Sequence, residues 1–216
     1  MGLWIHWERW PAIRRWVVDN LPSAVARIRS TSRGNSYPEA LQAEDEERIR
    51  LNGGGPARRP RSLILLGGTH LGKSDFAAGL GAHINFHGDT DLETMMKMDI
   101  TKLEYAIFDD VDWKKTCLSH ENWKHWMGCQ YSFTSYDRYT HKVSISPWGK
   151  PSIFLVNRHP WCKEGLDYHQ WAWALGNADF VDIGQWDPQR LNAISSADIH
   201  ERGNAFAADY NFIAIQ

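Results

Sequence analysis

The sequence predicts an α/β domain with a mostly parallel sheet, and three observations carry that expectation. Apolar runs at 62–66, 105–108, 153–156 and 180–183 have no polar face, as strands covered on both sides require. Helix-forming or turn-rich stretches separate these runs, which is the alternation of a parallel sheet with crossover helices. The first run passes straight into a glycine-rich loop and then into a helix-forming segment, so one strand-to-helix connection can be read directly from the residues.

The chain has 216 residues, 43% of them hydrophobic, enough for one core of ordinary domain size. Charged residues make up 23% and the net charge is -2, a composition that excludes a disordered chain and a uniformly basic surface. A nucleic-acid partner would therefore need a local basic patch or loop. The 12 tryptophans are expected chiefly as core and interface anchors. Cys117, Cys129 and Cys162 are odd in number and show no C-x-x-C, so neither a disulfide framework nor a zinc site is expected, and a reducing compartment fits. No apolar run reaches the roughly 18 residues of a membrane helix. Position 6 is His where a myristoylation signal needs Ser or Thr, and charge comes too early for a secretory signal. The expectation is a soluble intracellular protein with no membrane partner.

Along the chain, residues 1–50 read as a helical segment. Pro11 can sit in a first turn, and Trp10, Ile13, Trp16 and Val17 share a face of the helix it opens. Pro22 stops that helix, Ser23 is a candidate N-cap for a turn over 24–28, and 39–50 reads as a polar surface helix. Glycine and proline at 51–61 predict a linker. The main domain is expected over 62–190, with a tail of no clear periodicity at 191–216.

The glycine-rich loop is Gly67-Gly68-Thr69-His70-Leu71-Gly72-Lys73-Ser74, a G-x-x-x-x-G-K-S motif in the strand-to-helix setting that a phosphate-binding loop needs. Glycines let backbone amides converge on a polyphosphate without Cβ clashes, and the following helix turns its positive end to the same charge. Lys73 would reach the β- and γ-phosphates, and the Ser74 hydroxyl would ligate Mg²⁺. A plain glycine turn is the bland alternative, disfavoured by the flanking strand and helix. Downstream, the run at 105–108 ends in Asp109-Asp110, a Walker B pattern. Asp109 would hold the magnesium and Asp110 would orient or deprotonate the attacking water. Asn157, closing the run at 153–156, can both donate and accept a hydrogen bond, which suits contact with a phosphate and a water together.

At this point the residues resemble a family. Tyr105-Ala106-Ile107-Phe108-Asp109-Asp110-Val111-Asp112 looks like the Walker B segment of geminivirus and genomovirus replication-associated (Rep) proteins, which are superfamily 3 helicases. Trp123-Lys124-His125-Trp126-Met127-Gly128-Cys129-Gln130 resembles their B′ helix, and Pro151-Ser152-Ile153-Phe154-Leu155-Val156-Asn157 matches motif C. Trp173 with Asn177-Ala178-Asp179-Phe180-Val181 is similar to the segment that closes such domains, so the likeness covers roughly 62–183.

The resemblance implies an AAA+-like P-loop NTPase using ATP and Mg²⁺, unwinding DNA 3′-to-5′ as a homo-oligomeric ring during rolling-circle replication in a host nucleus. It implies γ-phosphate sensing by Asn157, single-stranded DNA contacts from a hairpin carrying Arg138, Lys142, Trp148 and Lys150, and oligomerisation through the helical segment. An arginine finger is also implied, with Arg158 and Arg190 both eligible. The nicking half of such proteins would show an H-x-H motif, which is absent; Tyr139-Thr140-His141-Lys142 fits Tyr-x-x-Lys only by coincidence of position. The chain thus resembles a Rep without its nickase domain, with a nickase-containing Rep as a partner. Two other readings stay open: a truncated Rep that binds ATP and DNA and regulates full-length rings without turnover, and a small P-loop kinase.

Overall fold

The structure, a computed structural model, describes residues 11–31, 39–51, 59–87, 90–110, 122–136, 142–160 and 165–184. All four expected strands form: β1 (Ser62–Leu66), β3 (Tyr105–Asp109), β6 (Ser152–Val156) and β7 (Ala178–Asp182). Sequence reading had not found β2 (His83–His87), and it completes a five-stranded sheet in the order β2-β3-β6-β1-β7. Every pairing in this sheet is parallel. A separate antiparallel pair joins β4 (Phe133–Tyr136) to β5 (Lys142–Ile145).

Helices cover both faces because successive residues of each strand point to opposite sides. Leu63, Leu65, Tyr105, Ile107, Ile153 and Leu155 form one core with α1 (Pro11–Asn20), α2 (Pro22–Thr31) and α4 (Lys73–Gly79). Ile64, Ala106, Phe108, Phe154 and Val156 form the other with α5 (Leu92–Met96), α6 (Asn122–Met127), α7 (Tyr168–Asn177) and the β4–β5 pair. Phe86, Phe108, Phe133, Trp126 and Trp148 pack there edge-on or tilted, with centroids 5.0–5.5 Å apart.

The N-terminal helices are built into the first of these cores. Ile13, Trp16 and Val17 are fully buried against the sheet. The Trp16 indole donates to the Arg61 carbonyl at 2.8 Å, while the Arg61 amide donates to Asn20 at 2.7 Å, so α1 grips the residue that enters β1 from both sides. Trp10 lies outside the described residues, as do 52–58, most of the expected linker. The third helix, α3 (Glu39–Leu51), is polar as expected and tied to α1 by Arg14–Asp45 at 2.6 Å.

Two local expectations need correction. Pro22 opens α2 instead of merely ending α1, since its fixed φ suits a first helical turn. Ser23 therefore lies inside the helix, and its hydroxyl donates to Glu104 at 2.7 Å instead of capping. The last strand starts two residues earlier than expected, because β7 follows α7 without a loop. The carbonyls left open at that junction are taken by the Arg61 guanidinium, which donates to Leu175, Gly176 and Ala178 at 2.9–3.0 Å while its Nε meets Asp179 at 2.7 Å.

Candidate functional site

Strand order places the expected site residues side by side. After β1 the chain crosses to β2 on one side of the sheet, whereas after β6 it crosses to β7 on the other. The chain path thus reverses between the neighbouring strands β1 and β6, and a crevice opens beyond their carboxyl ends. Gly67 follows β1, Asn157 follows β6, and Asp109 ends β3, so three adjacent strands deliver the loop, the amide and the carboxylates to one edge.

The side chains close on one another there. Lys73 is 7% exposed and donates to the carbonyls of Gly67 and Gly68, both at 2.8 Å, and to Oδ1 of Asn157 at 2.9 Å. Burial lowers the Lys73 pKa from its ordinary value, while the carboxylates of Asp109 and Asp110 pull it back up. The Ser74 hydroxyl donates to Oδ2 of Asp109 at 2.8 Å. Nδ2 of Asn157 donates to Oδ1 of Asp110 at 3.0 Å, and Oδ1 of Asp109 accepts the Asp110 amide at 3.0 Å. Three residues of the site are left-handed, His70 at φ 63°, Gly72 at 76° and Asp110 at 53°. Gly72 pays little for this; His70 and Asp110 hold a conformation uncommon for side-chain-bearing residues, of the kind found where a loop is fixed by its surroundings. These residues, with Thr69, Leu71 and His87, line an open cavity of about 500 Å³.

Not every residue of the loop faces that cavity with its backbone. The Gly67 amide donates to the Val156 carbonyl at 3.1 Å, and the Gly68 amide to the Gly184 carbonyl at 3.0 Å. Both amides anchor the loop to the scaffold, so amide donors for a ligand must come from Thr69 onward. A Cβ on Gly67 would meet Ile183 at 2.5 Å, so glycine is needed there for packing under the loop. The segment just past β7 thus buttresses the loop, a role that no feature of Ile183-Gly184 signalled in the sequence.

The expected DNA-contacting set is only partly present at an accessible surface. Trp148 is 3% exposed and packed edge-on against Trp126, so it is a core residue and cannot stack on a base as expected. Lys150 donates to the carbonyls of Ile100 and Thr101, and burial lowers its pKa. It pins that turn to the start of β6. Lys142 is exposed on β5, 5.8 Å from the Tyr136 ring. Arg138 and Arg190 lie outside the described residues, while Arg158 is exposed beside Asn157. Of the described residues that line the cavity, sequence reading had given a role to every polar one except Asp75 and His87. Isolated Asp and His residues carry no motif, and only the β2–β3 register brings His87 to Asp109.

No protein-family model matches the chain. Curated relatives do. Replication-associated protein of maize streak virus genotype C (isolate Set) is 34% identical over 107 residues, 49% of this chain and 28% of that protein. The namesake from genotype A (isolate South Africa) is 31% identical over 128 residues, 59% of this chain and 31% of that protein. That from genotype E (isolate Pat) is 33% identical over 107 residues. The matched part spans less than a third of the length of these relatives. Across about half of its length, then, this chain is similar to the replication-associated proteins of maize streak virus.

Proposed function

We propose that this chain is the ATPase part of a Rep-like replication initiator, a P-loop NTPase of the AAA+-like, superfamily 3 kind. In this reading it binds ATP with Mg²⁺ and couples hydrolysis to movement along single-stranded viral DNA as a homo-oligomeric ring. The observation that carries the reading is the meeting of Lys73, Ser74, Asp109, Asp110 and Asn157 around one cavity of about 500 Å³. That volume lies within the range of ordinary small-molecule sites.

Each residue has a task that its surroundings support. A polyphosphate resting on the amides from Thr69 to Ser74 meets the Lys73 ammonium, which exchanges one of its present acceptors for a phosphate oxygen. The Ser74 hydroxyl and the Asp109 carboxylate, 2.8 Å apart, are the hard oxygen donors that suit Mg²⁺. Among the described residues no group of three or more His, Cys, Asp or Glu could hold an ion, so the remaining ligands would be phosphate oxygens and water. The ion would neutralise charge developing on the β- and γ-phosphate oxygens. Asn157, already bridging Lys73 and Asp110, stands where a terminal phosphate would be sensed. Lys142 remains the described candidate for a DNA contact from the hairpin, and no described helix is long and apolar enough to cross a membrane.

The test is ATP hydrolysis with and without single-stranded DNA, with light scattering to follow assembly. DNA-stimulated hydrolysis that falls by about 100-fold in Lys73→Ala is expected, the scale of losing a charge-stabilising group at a reacting phosphate. Phosphate transfer to a nucleotide acceptor without response to DNA would instead identify a kinase.

A further inference from the structure

His87 is the last residue of β2, in register with Asp109 on β3. Its side chain is 71% exposed and lines the cavity, with Nε2 standing 3.8 Å from Oδ2 of Asp110. That separation is beyond a direct hydrogen bond and suits one water bridging both groups. The other Asp110 oxygen already accepts from Asn157 at 3.0 Å, so Oδ2 is the one left for a water. Asp110 itself is left-handed, φ 53°, a conformation that surrounding contacts have to maintain.

A water has two hydrogens to place. Oδ2 of Asp110 accepts one, and an imidazole carrying its own proton on Nδ1 accepts the other at Nε2. The lone pairs of the water oxygen then turn away from both acceptors, into the cavity. We propose that His87 is a further catalytic residue, the second acceptor that orients the attacking water beside Asp110. The assignment rests on the ATPase reading above. In the step, the water oxygen bonds to the γ-phosphorus, the bond from that phosphorus to the β,γ-bridging oxygen breaks, and ADP leaves with the electron pair. One water proton passes to Asp110 and on to solvent, and the other stays on the released phosphate. His87 orients the water and takes no net proton.

Steady-state ATP hydrolysis by the full chain, with ADP binding measured by calorimetry in Mg²⁺, tests this. His87→Ala is expected to lower kcat by about 10- to 100-fold, the span of one orienting contact to a reacting group, while KM and ADP affinity stay within about twofold. His87→Gln, whose side-chain oxygen reaches the ε position, is expected to recover most of kcat, whereas the shorter His87→Asn is not. Unchanged kcat in His87→Ala, or equal losses in Gln and Asn, overturns the role of His87 and leaves the ATPase reading standing. Hydrolysis in the parent chain no faster than in Lys73→Ala overturns both.

Discussion

Replacing Trp16 by alanine should destabilise the whole sheet domain, although the residue lies more than fifty positions before Lys73. The indole is fully buried in the core shared by α1 and the sheet, and its Nε1 satisfies the Arg61 carbonyl at 2.8 Å. A buried Trp removes roughly 150–250 Å² from water, about 4–6 kcal/mol at about 25 cal/mol per Å². Alanine retains part of that, the neighbours relax into part of the cavity, and an unpaired carbonyl adds about 1 kcal/mol, so a net loss of about 4 kcal/mol is expected. For a domain of this size that corresponds to a fall in melting temperature of about 10 °C. Trp16→Phe keeps most of the burial but lacks the donor, so its loss should be about 1–2 kcal/mol. Differential scanning calorimetry on parent and variants reads both values. A main transition left unchanged in Trp16→Ala, with only a separate early one lost, would refute the shared core and make α1 an independent segment.

Glu104 accepts from Ser23 at 2.7 Å, from Arg27 at 2.7 Å and from the Ala82 amide at 3.0 Å. Burial pushes its pKa up, but these donors outweigh it and hold the value below the usual 4.5. Its stabilisation is therefore present above pH 4.5 and is lost as pH falls through the lowered value, so Glu104→Gln should cost roughly 1–2 kcal/mol at neutral pH and flatten the acid limb of a urea-stability profile. A variant with the parent's acid limb would contradict this. Burial pushes the Cys129 thiol up to about 11. In a Cys117→Ser, Cys162→Ser background, native Cys129 should react with a thiol reagent at pH 8 roughly 100-fold slower than in urea, and equal rates would contradict its burial. Trp148→Ala should lower stability by about 3–5 kcal/mol, while Trp148→Phe should leave DNA affinity in a filter-binding assay unchanged. Loss of DNA affinity in the phenylalanine variant, with stability kept, would return Trp148 to the DNA-contacting set.

The sheet was legible wherever a strand is covered on both faces. The runs at 62–66, 105–108 and 153–156 are apolar without interruption because β1, β3 and β6 lie inside the sheet. The edge strand β2 escaped notice, since His83, Asn85 and His87 alternate with only two apolar residues, Ile84 and Phe86. The loop and the carboxylates were legible because phosphate and metal chemistry constrains residue type and spacing along one segment. What depends on contacts between segments was not: the burial of Trp148, the hold of α1 on Arg61, the Gly184 buttress and the approach of His87 to Asp110 are set by packing and register.

The most direct measurement of the central claim is calorimetric ADP binding with and without Mg²⁺, in the parent chain, Lys73→Ala and Asp109→Asn. A polyphosphate on the 67–74 loop, with a divalent ion shared by Ser74 and Asp109, predicts parent binding that Mg²⁺ strengthens. It predicts that Lys73→Ala loses binding in both conditions, and that Asp109→Asn keeps the Mg²⁺-free affinity while losing the gain from the ion. Binding indifferent to Lys73, or a gain from Mg²⁺ that survives Asp109→Asn, would contradict the account.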